Sequence, residues 1–372
     1  ETLTMRRMRT HLLLCGLTSV SGLTALRPVL DWVLASPLNE WFLVPAARST
    51  MIRTAEANEV PWTECVAWIA RQDFEEVTPT QETPAYYRSP FHAYASGNLC
   101  WKAAFEQEIA SAAVGARNYP QHGRAGEDAF RSAFEYAFDE LGADVPEEGV
   151  VVDVGCGTGT STRRLAAKFE SAKEVVGVDL SPYFLTVGRK LLELEPTTDL
   201  WVSEIRKDDR IRFVSADAAA MPFEDASVDV CQLNLVVHEC PPSATKAILR
   251  ECKRVLKPEG GQLWISEMDF DTPGFKNLRA NPLLFSLIRS TEPMLDLYAD
   301  YNARGLAADL VDLGFHHVKI RAATGRHFAL VATTLVGGQE TNEDERLGVI
   351  DDRRLETALP DTHLATWAVE SR

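Results

Sequence analysis

The 372-residue chain lacks features that would assign it to several large protein classes. No uninterrupted apolar run reaches the length that a membrane-spanning helix needs, so no stable membrane span is expected. Excess positive charge is also missing, because 38 Lys and Arg stand against 54 Asp and Glu, which gives a net charge of -16 at pH 7. Nucleic acids and anionic membranes bind cationic surfaces, so this balance opposes both as partners, although a local basic patch remains compatible with it.

The seven cysteines form no recognisable framework. Their number is odd, their spacings are irregular and no Cys-x-x-Cys pair occurs, so a disulfide scaffold and a metal site are both disfavoured. Reduced and mostly buried thiols are the expected state, which favours an intracellular, reducing compartment.

Residues 1–28 differ in composition from the rest. No acidic residue occurs between Glu1 and Asp31, and the basic stretch 5–9 precedes the apolar run 12–17. This order is typical of a targeting segment, which would place the protein in an organelle such as a plastid rather than in the cytoplasm. The alternative is an amphipathic first helix of the folded domain.

The remaining chain divides into three parts. Residues 29–142 predict an N-terminal helical extension, residues 143–336 alternate between strand and helix patterns, and the acidic tail 337–372 predicts a flexible appendage with at most one short helix. Within the extension, the stretch 86–101 is rich in aromatics and has no helical period. It predicts a lid over a ligand, and the alternative is an irregular packing loop.

The stretch from Val150 to Gly159 predicts a buried strand, a tight glycine loop and the start of a helix. A dinucleotide-binding loop has its third glycine three positions after the second, but here that position is Thr160. Asp153 ends the strand, and a carboxylate there would repel a pyrophosphate. A cationic or amine-bearing nucleoside without phosphate is therefore favoured.

Two further acids end the next two predicted strands. Asp179 could accept the ribose hydroxyls and Asp217 the amine of adenine. Because the carboxyl ends of parallel strands meet along one crevice, the three acids are expected to line it together. Each acid alone could instead be a helix cap or a solvated group.

The last two predicted strands, 318–322 and 327–334, are too close in sequence for a helical crossover. They predict an antiparallel hairpin that ends an otherwise parallel sheet with helices on both faces. The fold class is thus α/β, Rossmann-like.

These motifs resemble those of class I S-adenosylmethionine-dependent methyltransferases, in particular the type 11-like enzymes that methylate small molecules, including quinone and sterol precursors. The resemblance covers about residues 145–335 and is carried by the segments 151–159, 176–181, 216–223, 227–230 and 256–261. It implies seven strands in the order 3-2-1-4-5-7-6, with the last strand antiparallel. It also implies S-adenosyl-L-methionine as cofactor and S-adenosyl-L-homocysteine as product.

The resemblance further implies which residues hold the cofactor. Asp153 and the glycines would hold the methionine moiety, Asp179 the ribose, and Asp217 with Ala218 the adenine. The full set expected to bind the cofactor is Asp153, Gly155, Cys156, Gly157, Gly159, Asp179, Leu180, Asp217, Ala218 and Asn234.

A sulfonium methyl is already activated, so positioning the acceptor and excluding water supply much of the acceleration. A base is still useful for a hydroxyl or an acidic carbon. His238, just after the fourth strand, is the first candidate, with Glu239 and His92 as weaker ones. The alternative for His238 is a structural role. The Asn-Pro-Pro-Tyr sequence that is typical of methylation on base and glutamine nitrogens is absent after that strand.

The acceptor is expected to be small, partly apolar and enclosed. Its lid and wall are predicted to include Tyr87, His92, Tyr94, Asn98, Trp101, Tyr298 and Tyr301. Two alternatives stay open at this point: a nicotinamide-dependent oxidoreductase, which the glycine spacing opposes, and a non-catalytic scaffold, which the intact acids oppose. The sequence carries no information on oligomeric state.

Overall fold

A computed structural model describes residues 26–77, 82–194, 207–334 and 348–354, and every count below refers to these residues. Eight strands form one sheet in the order β3-β2-β1-β4-β5-β7-β6-β8. The strands are β1 Val150–Val154, β2 Glu174–Asp179, β3 Ile211–Ser215, β4 Val230–Asn234, β5 Gln262–Met268, β6 His316–Ala322, β7 His327–Thr333 and β8 Val349–Asp352.

The predicted order of the first seven strands is confirmed, and β7 runs antiparallel to both of its neighbours. The eighth strand is a correction, because Val349–Asp352 lies in the expected flexible tail yet pairs parallel with β6. Half of its residues are Asp and its two apolar side chains face solvent, so it carries no pattern of a buried strand. Arg353 holds it to the domain through Asp269 and Asp271, at 3.0 and 3.2 Å.

The described part of the chain contains eleven α-helices, none of them both long and apolar enough to cross a bilayer. They are α1 Arg27–Leu34, α2 Val44–Ala57, α3 Trp62–Ala70, α4 Trp101–Asn118, α5 Gly126–Leu141, α6 Thr160–Lys168, α7 Pro182–Glu193, α8 Pro242–Val255, α9 Pro273–Ala280, α10 Pro282–Arg289 and α11 Leu295–Asp312. A π-helical turn at Asn39–Leu43 joins α1 to α2, and α11 is broken at Asn302.

Helices cover both faces of the sheet, as an α/β domain requires. One face packs against α8 and α11, and the other against α5 and α6. Helix α5 was expected to belong to the N-terminal extension, but its buried Phe130, Phe134 and Phe138 pack on strands β1, β2 and β4 and on Trp264. By packing, α5 is therefore a helix of the core, and the part outside the core comprises residues 26–77, the stretch 82–100 and α4.

Two local conformations bring the candidate site residues to the carboxyl edge of the sheet. In the glycine loop, Gly159 has φ +91°, and a Cβ there would lie 2.4 Å from Phe213 Cζ, so the turn admits only glycine. After β4, Leu235 has φ 57°, a conformation that is uncommon for a side chain of this size. This turn places Val236 against Gly155 and directs the short 3-10 turn Val237–Glu239 towards the end of β5.

Candidate functional site

Asp153, at the end of β1, is almost completely buried. Its Oδ2 accepts hydrogen bonds from the hydroxyls of Ser161 and Thr162 in the first turn of α6, at 2.7 and 2.6 Å. Its Oδ1 is buried and has no hydrogen-bond partner. Burial raises the pKa of this carboxyl, and the two hydroxyls oppose that shift. An unsatisfied buried acceptor is costly, so this oxygen fits a donor that the protein itself does not supply, such as an ammonium group.

Helix α4 lies directly over the glycine loop. Gln107 accepts from the Thr158 hydroxyl, and a Cβ at Gly157 would lie 2.7 Å from the Gln107 amide nitrogen. Next to it, both carboxylate oxygens of the buried Glu108 accept from Nη2 of Arg163, each at 2.8 Å. This buried ion pair fixes α4 against α6, so α4 covers the glycine loop as a rigid element.

Asp179, at the end of β2, is held from three sides. Its Oδ2 accepts from the Gly157 amide at 2.9 Å, and its Oδ1 accepts from the Ser181 amide at 2.7 Å and from the Tyr87 hydroxyl at 3.3 Å. Burial raises the pKa of this carboxyl against those hydrogen bonds. The Tyr87 bond is the longest of the three. A ribose hydroxyl could therefore take its place while both backbone donors stay in position.

The remaining cofactor candidates lie at the same edge of the sheet but differ in their partners. Asp217, partly exposed after β3, accepts from the Ala219 amide at 2.8 Å, as a local turn cap would, with Ala218 between them. Asn234 ends β4 and accepts from Arg131 at 3.0 Å. Cys156, in the glycine loop, is buried, and Leu180, after β2, is partly exposed.

His238 forms a close pair with Glu267, which ends β5 and is completely buried. Its Nδ1 lies 3.0 and 2.9 Å from the two carboxylate oxygens, and its backbone amide donates to the same carboxylate at 3.1 Å. Burial alone would lower the pKa of this imidazole, but Glu267, with help from Glu292 and Glu239, raises it to about 10. His238 is therefore a cation at neutral pH with a fixed ring.

His92 joins the stretch 82–100 to the opposite wall of the site. Its Nε2 lies 3.1 Å from Glu292 and 3.6 Å from Glu239. Burial opposes the charged form, but the two carboxylates raise the pKa of His92 to about 9. Glu239 behaves differently: burial raises its pKa to about 7, with Glu292 and Asp179 adding to the shift and the two histidines opposing it. Its carboxyl is thus the group of this cluster that titrates near neutral pH.

A cavity of about 650 Å³ adjoins this cluster. It lies between the N-terminal elements, the stretch 90–95 and the segment that joins α10 to α11. Its wall includes Leu34, Trp41, Val44, Phe91, Tyr94, Arg289, Glu292 and Asp296. The inner carboxylate, Glu292, has one oxygen buried without a hydrogen-bond partner. The wall combines apolar side chains with five charged ones, of which Asp31, Glu40, Glu292 and Asp296 are acidic and Arg289 is basic. Such a mixture of apolar surface and a limited number of polar groups is compatible with a small-molecule site.

The predicted lid and wall residues divide into two groups. In the first group, Tyr87 contacts the Asp179 carboxylate, and His92 contacts the carboxylates of Glu292 and Glu239. The ring of Tyr298 packs edge-on against the ring of His238, with 6.2 Å between the ring centroids, and its hydroxyl donates to the Met268 carbonyl. Tyr94 lines the cavity, but its hydroxyl donates to Glu106. Asn98 is buried beside Ser181, whose hydroxyl bonds its carbonyl at 2.7 Å.

Two predicted residues are not brought to the site. Trp101 packs in an aromatic cluster with Phe74, Phe105 and Tyr183 at the start of α4. Tyr301 donates to Asp309 of its own helix, at 2.7 Å. Within the stretch 86–101, Tyr87 and His92 thus contact the candidate site, whereas Trp101 packs away from it at the start of α4; that this stretch covers a ligand stays a prediction.

Several site residues were not recognised in the sequence. Glu267 could have been found, because it is a fourth acid near the carboxyl end of a core strand, the same signal that pointed to Asp153. Glu292 and Gln107 carry no such signal, since neither follows a strand: Glu292 lies between α10 and α11, Gln107 lies in α4, and each reaches the site only through the packing of distant segments. Arg131 lies one turn after Glu127 in α5, and in the sequence the two look like an ordinary ion pair on the surface of a helix.

Known proteins are similar to the strand and loop region described above. Residues 152–264 match the family model described as a methyltransferase domain. The chain is 37% identical over 123 residues to a demethylmenaquinone methyltransferase of Clavibacter sepedonicus, which covers 33% of this chain and 42% of that protein. It is 30% identical over 190 residues to an uncharacterized chloroplastic methyltransferase of Arabidopsis thaliana, covering 50% and 44%. Each of these matches thus spans less than half of the relative's length.

Among solved structures, a SAM-dependent methyltransferase of Aquifex aeolicus aligns with a TM-score of 0.40 at 19% identity, covering 55% of this chain and 93% of that one. The matched segment 152–264 contains the glycine loop together with Asp153, Asp179 and Asp217. Over residues 152–264 the chain is therefore similar to methyltransferase domains, and this is the segment in which the three acids follow the strands of the sheet.

Proposed function

We propose that the protein transfers a methyl group from S-adenosyl-L-methionine to a small, partly apolar acceptor held in the 650 Å³ cavity. The observation that carries this proposal is the continuity of the two half-sites. Glu239 is within electrostatic reach of Asp179, at the cofactor edge, and His92 links Glu239 to Glu292, which lines the cavity. A donor at the first position and an acceptor in the second would therefore face each other across Glu239.

On the cofactor side, S-adenosyl-L-methionine supplies a methyl group that is already activated for displacement. Asp153 Oδ1 would receive its amino group, because that oxygen is buried and unpartnered. Asp179 would hold the ribose and Asp217 the adenine amine. Helix α4 covers the loop through Gln107 and Glu108 and would exclude water from the reacting atoms.

On the acceptor side, we assign the role of general base to Glu239 rather than to His238. A base works best when its pKa lies near the operating pH, and Glu239 titrates at about 7. His238 is held as a cation by Glu267 and cannot accept a proton at neutral pH. We assign His238 a positioning role. The imidazolium groups of His238 and His92 lie near Glu239 and favour its ionised form, against the effect of burial. Environments that move neighbouring pKa values apart are typical of acid–base sites.

The acceptor class follows from the wall of the cavity. Leu34, Val44 and Phe91 supply apolar surface to the cavity. A general base at Glu239, which lies 3.6 Å from His92 beside the cavity, would act on an acceptor that carries a removable proton. An aromatic or quinol-like molecule with an acidic hydroxyl or carbon meets both conditions. The name of the Clavibacter sepedonicus relative points to an acceptor of the same kind.

Calorimetric titration tests the cofactor half of the proposal. The protein should bind S-adenosylhomocysteine and show no binding of NADH. Asp153→Asn should weaken S-adenosylhomocysteine binding by about tenfold to a hundredfold, since one hydrogen bond to a charged group contributes about 1.5–3 kcal/mol. Asp300→Asn, at an exposed ion pair with Arg279, is the matched control and should bind normally. Binding of NADH alone would refute the assignment.

Labelled methyl transfer tests the acceptor half. The protein is incubated with labelled S-adenosyl-L-methionine and a lipid extract or a polar extract, and the products are identified by mass spectrometry. Label should appear in an apolar or aromatic product of the lipid extract. Label confined to polar metabolites would contradict the assigned acceptor class.

A further inference from the structure

Large apolar side chains are exposed mainly in one region of the molecule. The described residues include nine large hydrophobic side chains that are strongly exposed, and seven of them belong to α1, the π-helical turn, α10 and α11. They are Val29, Trp32, Trp41, Phe42, Leu283, Leu284 and Leu297, with Trp32, Trp41 and Phe42 each more than 60% exposed. We call these seven residues the apolar patch.

The elements that carry the apolar patch are neighbours. Helices α1 and α10 pack on each other, α1 and α2 both contact the π-helical turn, and α10 also contacts α2. An ion pair of 2.6 Å between Arg289 and Asp31 locks α10 to α1. A second ion pair of Arg289, to Asp296, joins α10 to α11. The patch residues therefore lie on elements that pack together, whereas isolated exposed side chains would need no explanation.

The apolar patch also borders the cavity of the proposed acceptor. Trp41 is 67% exposed and at the same time lines the cavity, so the cavity reaches the surface within the patch. Val44, Phe91 and Glu292 line the same cavity. A partly apolar acceptor that enters at this point would pass from the patch to the acid cluster.

The chain leading into the patch has an unusual charge. Residues 2–30 contain four arginines and no acidic residue, in a protein whose net charge is -16. Three of them, Arg6, Arg7 and Arg9, come before the described part of the chain in sequence, which begins at Leu26. A basic segment joined to exposed Trp and Phe side chains complements a surface whose outer groups are anionic and whose deeper layer is apolar.

We propose that the apolar patch docks on the surface of a lipid bilayer, from which the acceptor enters the cavity. Trp side chains favour the boundary between headgroups and acyl chains, and the patch presents two of them beside Phe42 and the leucines of α10. This inference rests on the proposed function only in naming the acceptor as the molecule that enters the cavity. Docking itself is independent of methyl transfer.

Vesicle flotation with the full chain tests the inference, using vesicles of phosphatidylcholine with one fifth phosphatidylglycerol. The wild-type protein should float with the vesicles. The double variant Trp32→Ser/Phe42→Ser should lower the vesicle partition coefficient by about tenfold or more, since two large aromatic surfaces are lost. The matched control is Val349→Ser/Ile350→Ser, which removes the two other exposed apolar side chains, on β8, and should float like the wild type.

Three results would overturn the proposal. The wild-type protein could stay in the unbound fraction; both double variants could lose binding equally, as for unspecific adhesion; or binding could be unchanged in Trp32→Ser/Phe42→Ser, as when residues 1–25 or a second copy cover the patch. Light scattering without vesicles identifies the second copy. S-adenosylhomocysteine titration of the same samples separates this failure from that of the proposed function, because cofactor binding does not depend on vesicles.

Discussion

The buried pair of His238 and Glu267 allows a prediction that needs no knowledge of the acceptor. Glu267→Gln keeps the size of the side chain and its hydrogen-bonding capacity but removes the charge. Because Glu267 is completely buried and His238 is 11% exposed, little solvent screens their interaction. We therefore expect Glu267→Gln to destabilise the fold at neutral pH, where the imidazole is charged.

The magnitude follows from the pKa of His238. The difference between about 10 and the ordinary 6.5 corresponds to about 5 kcal/mol in favour of the charged form. Glu292 and Glu239 supply part of that difference. Breaking a buried ion pair by removing one partner usually costs about 3–5 kcal/mol. The expected loss for Glu267→Gln at pH 6 is therefore about 3 kcal/mol.

The pH dependence carries a definite sign. The folded state holds the proton of His238 more tightly than the unfolded state, so the pair's contribution is fully present below pH 6.5 and is lost as the pH rises through about 10. At pH 10 and above, Glu267 would be a buried charge beside a neutral ring. The difference between wild type and variant should then vanish or reverse.

Urea unfolding of both proteins at pH 6, 8 and 10 measures these differences, and NMR of histidine-labelled protein measures the pKa of His238 directly. Glu174→Gln serves as control, since its ion pair with Arg212 is partly exposed and should be worth less than about 1 kcal/mol. A loss for Glu267→Gln no larger than that of the control, or one that stays constant up to pH 10, would refute the assigned ion pair.

Three further perturbations test the site and its scaffold. Glu239→Gln should lower kcat by about a hundredfold and remove the rise of kcat as pH passes through about 7; a variant that keeps the rise would exclude Glu239 as the base. Gly159→Ala should cost about 3 kcal/mol in urea unfolding, through positive φ and collision with Phe213, whereas Gly260→Ala, with similar φ but open space, should cost about 1 kcal/mol. Equal losses would contradict the collision. His327, whose pKa burial and nearby arginines lower to about 3, stays neutral in the fold, so wild-type stability should decline as pH falls below 6.5. His327→Gln should flatten this decline, and an unchanged slope would show that another group causes it.

The placement of the three acids at one edge of the sheet was predictable from the sequence. These residues follow one another in simple units of strand, turn and helix, so Asp153, Asp179 and Asp217 reach the same edge by topology alone. The pattern also predicted the closing antiparallel hairpin, whereas the order of the seven strands came from the resemblance to the methyltransferase family. The eighth strand could not be foreseen, because β8 is short and acidic and is held by Arg353, whose partners lie more than eighty positions earlier.

The choice of base shows where sequence reasoning stops. His238 was the first candidate because its ordinary pKa lies near neutral pH. That ordinary value assumes a solvated ring, but a carboxylate from another strand contacts both its Nδ1 and its backbone amide. Glu239 was a weaker candidate, and the sequence does not show that burial, with Glu292 and Asp179 nearby, raises its pKa to about 7 against the effect of the two histidines.

The acceptor half depends on contacts between two segments that are remote in sequence. The amide of His92 donates to the Thr291 carbonyl at 2.9 Å, and its ring pairs with Glu292. The stretch 82–100 is therefore fixed at two points to the segment between α10 and α11. Arg289 connects the same segment to α1 and to Asp296. Neither segment packs on the glycine loop through these contacts. Substitutions in either segment can therefore reshape the cavity while Asp153 and Asp179 keep their geometry, and a change of acceptor requires matched changes on both sides of the His92–Glu292 pair.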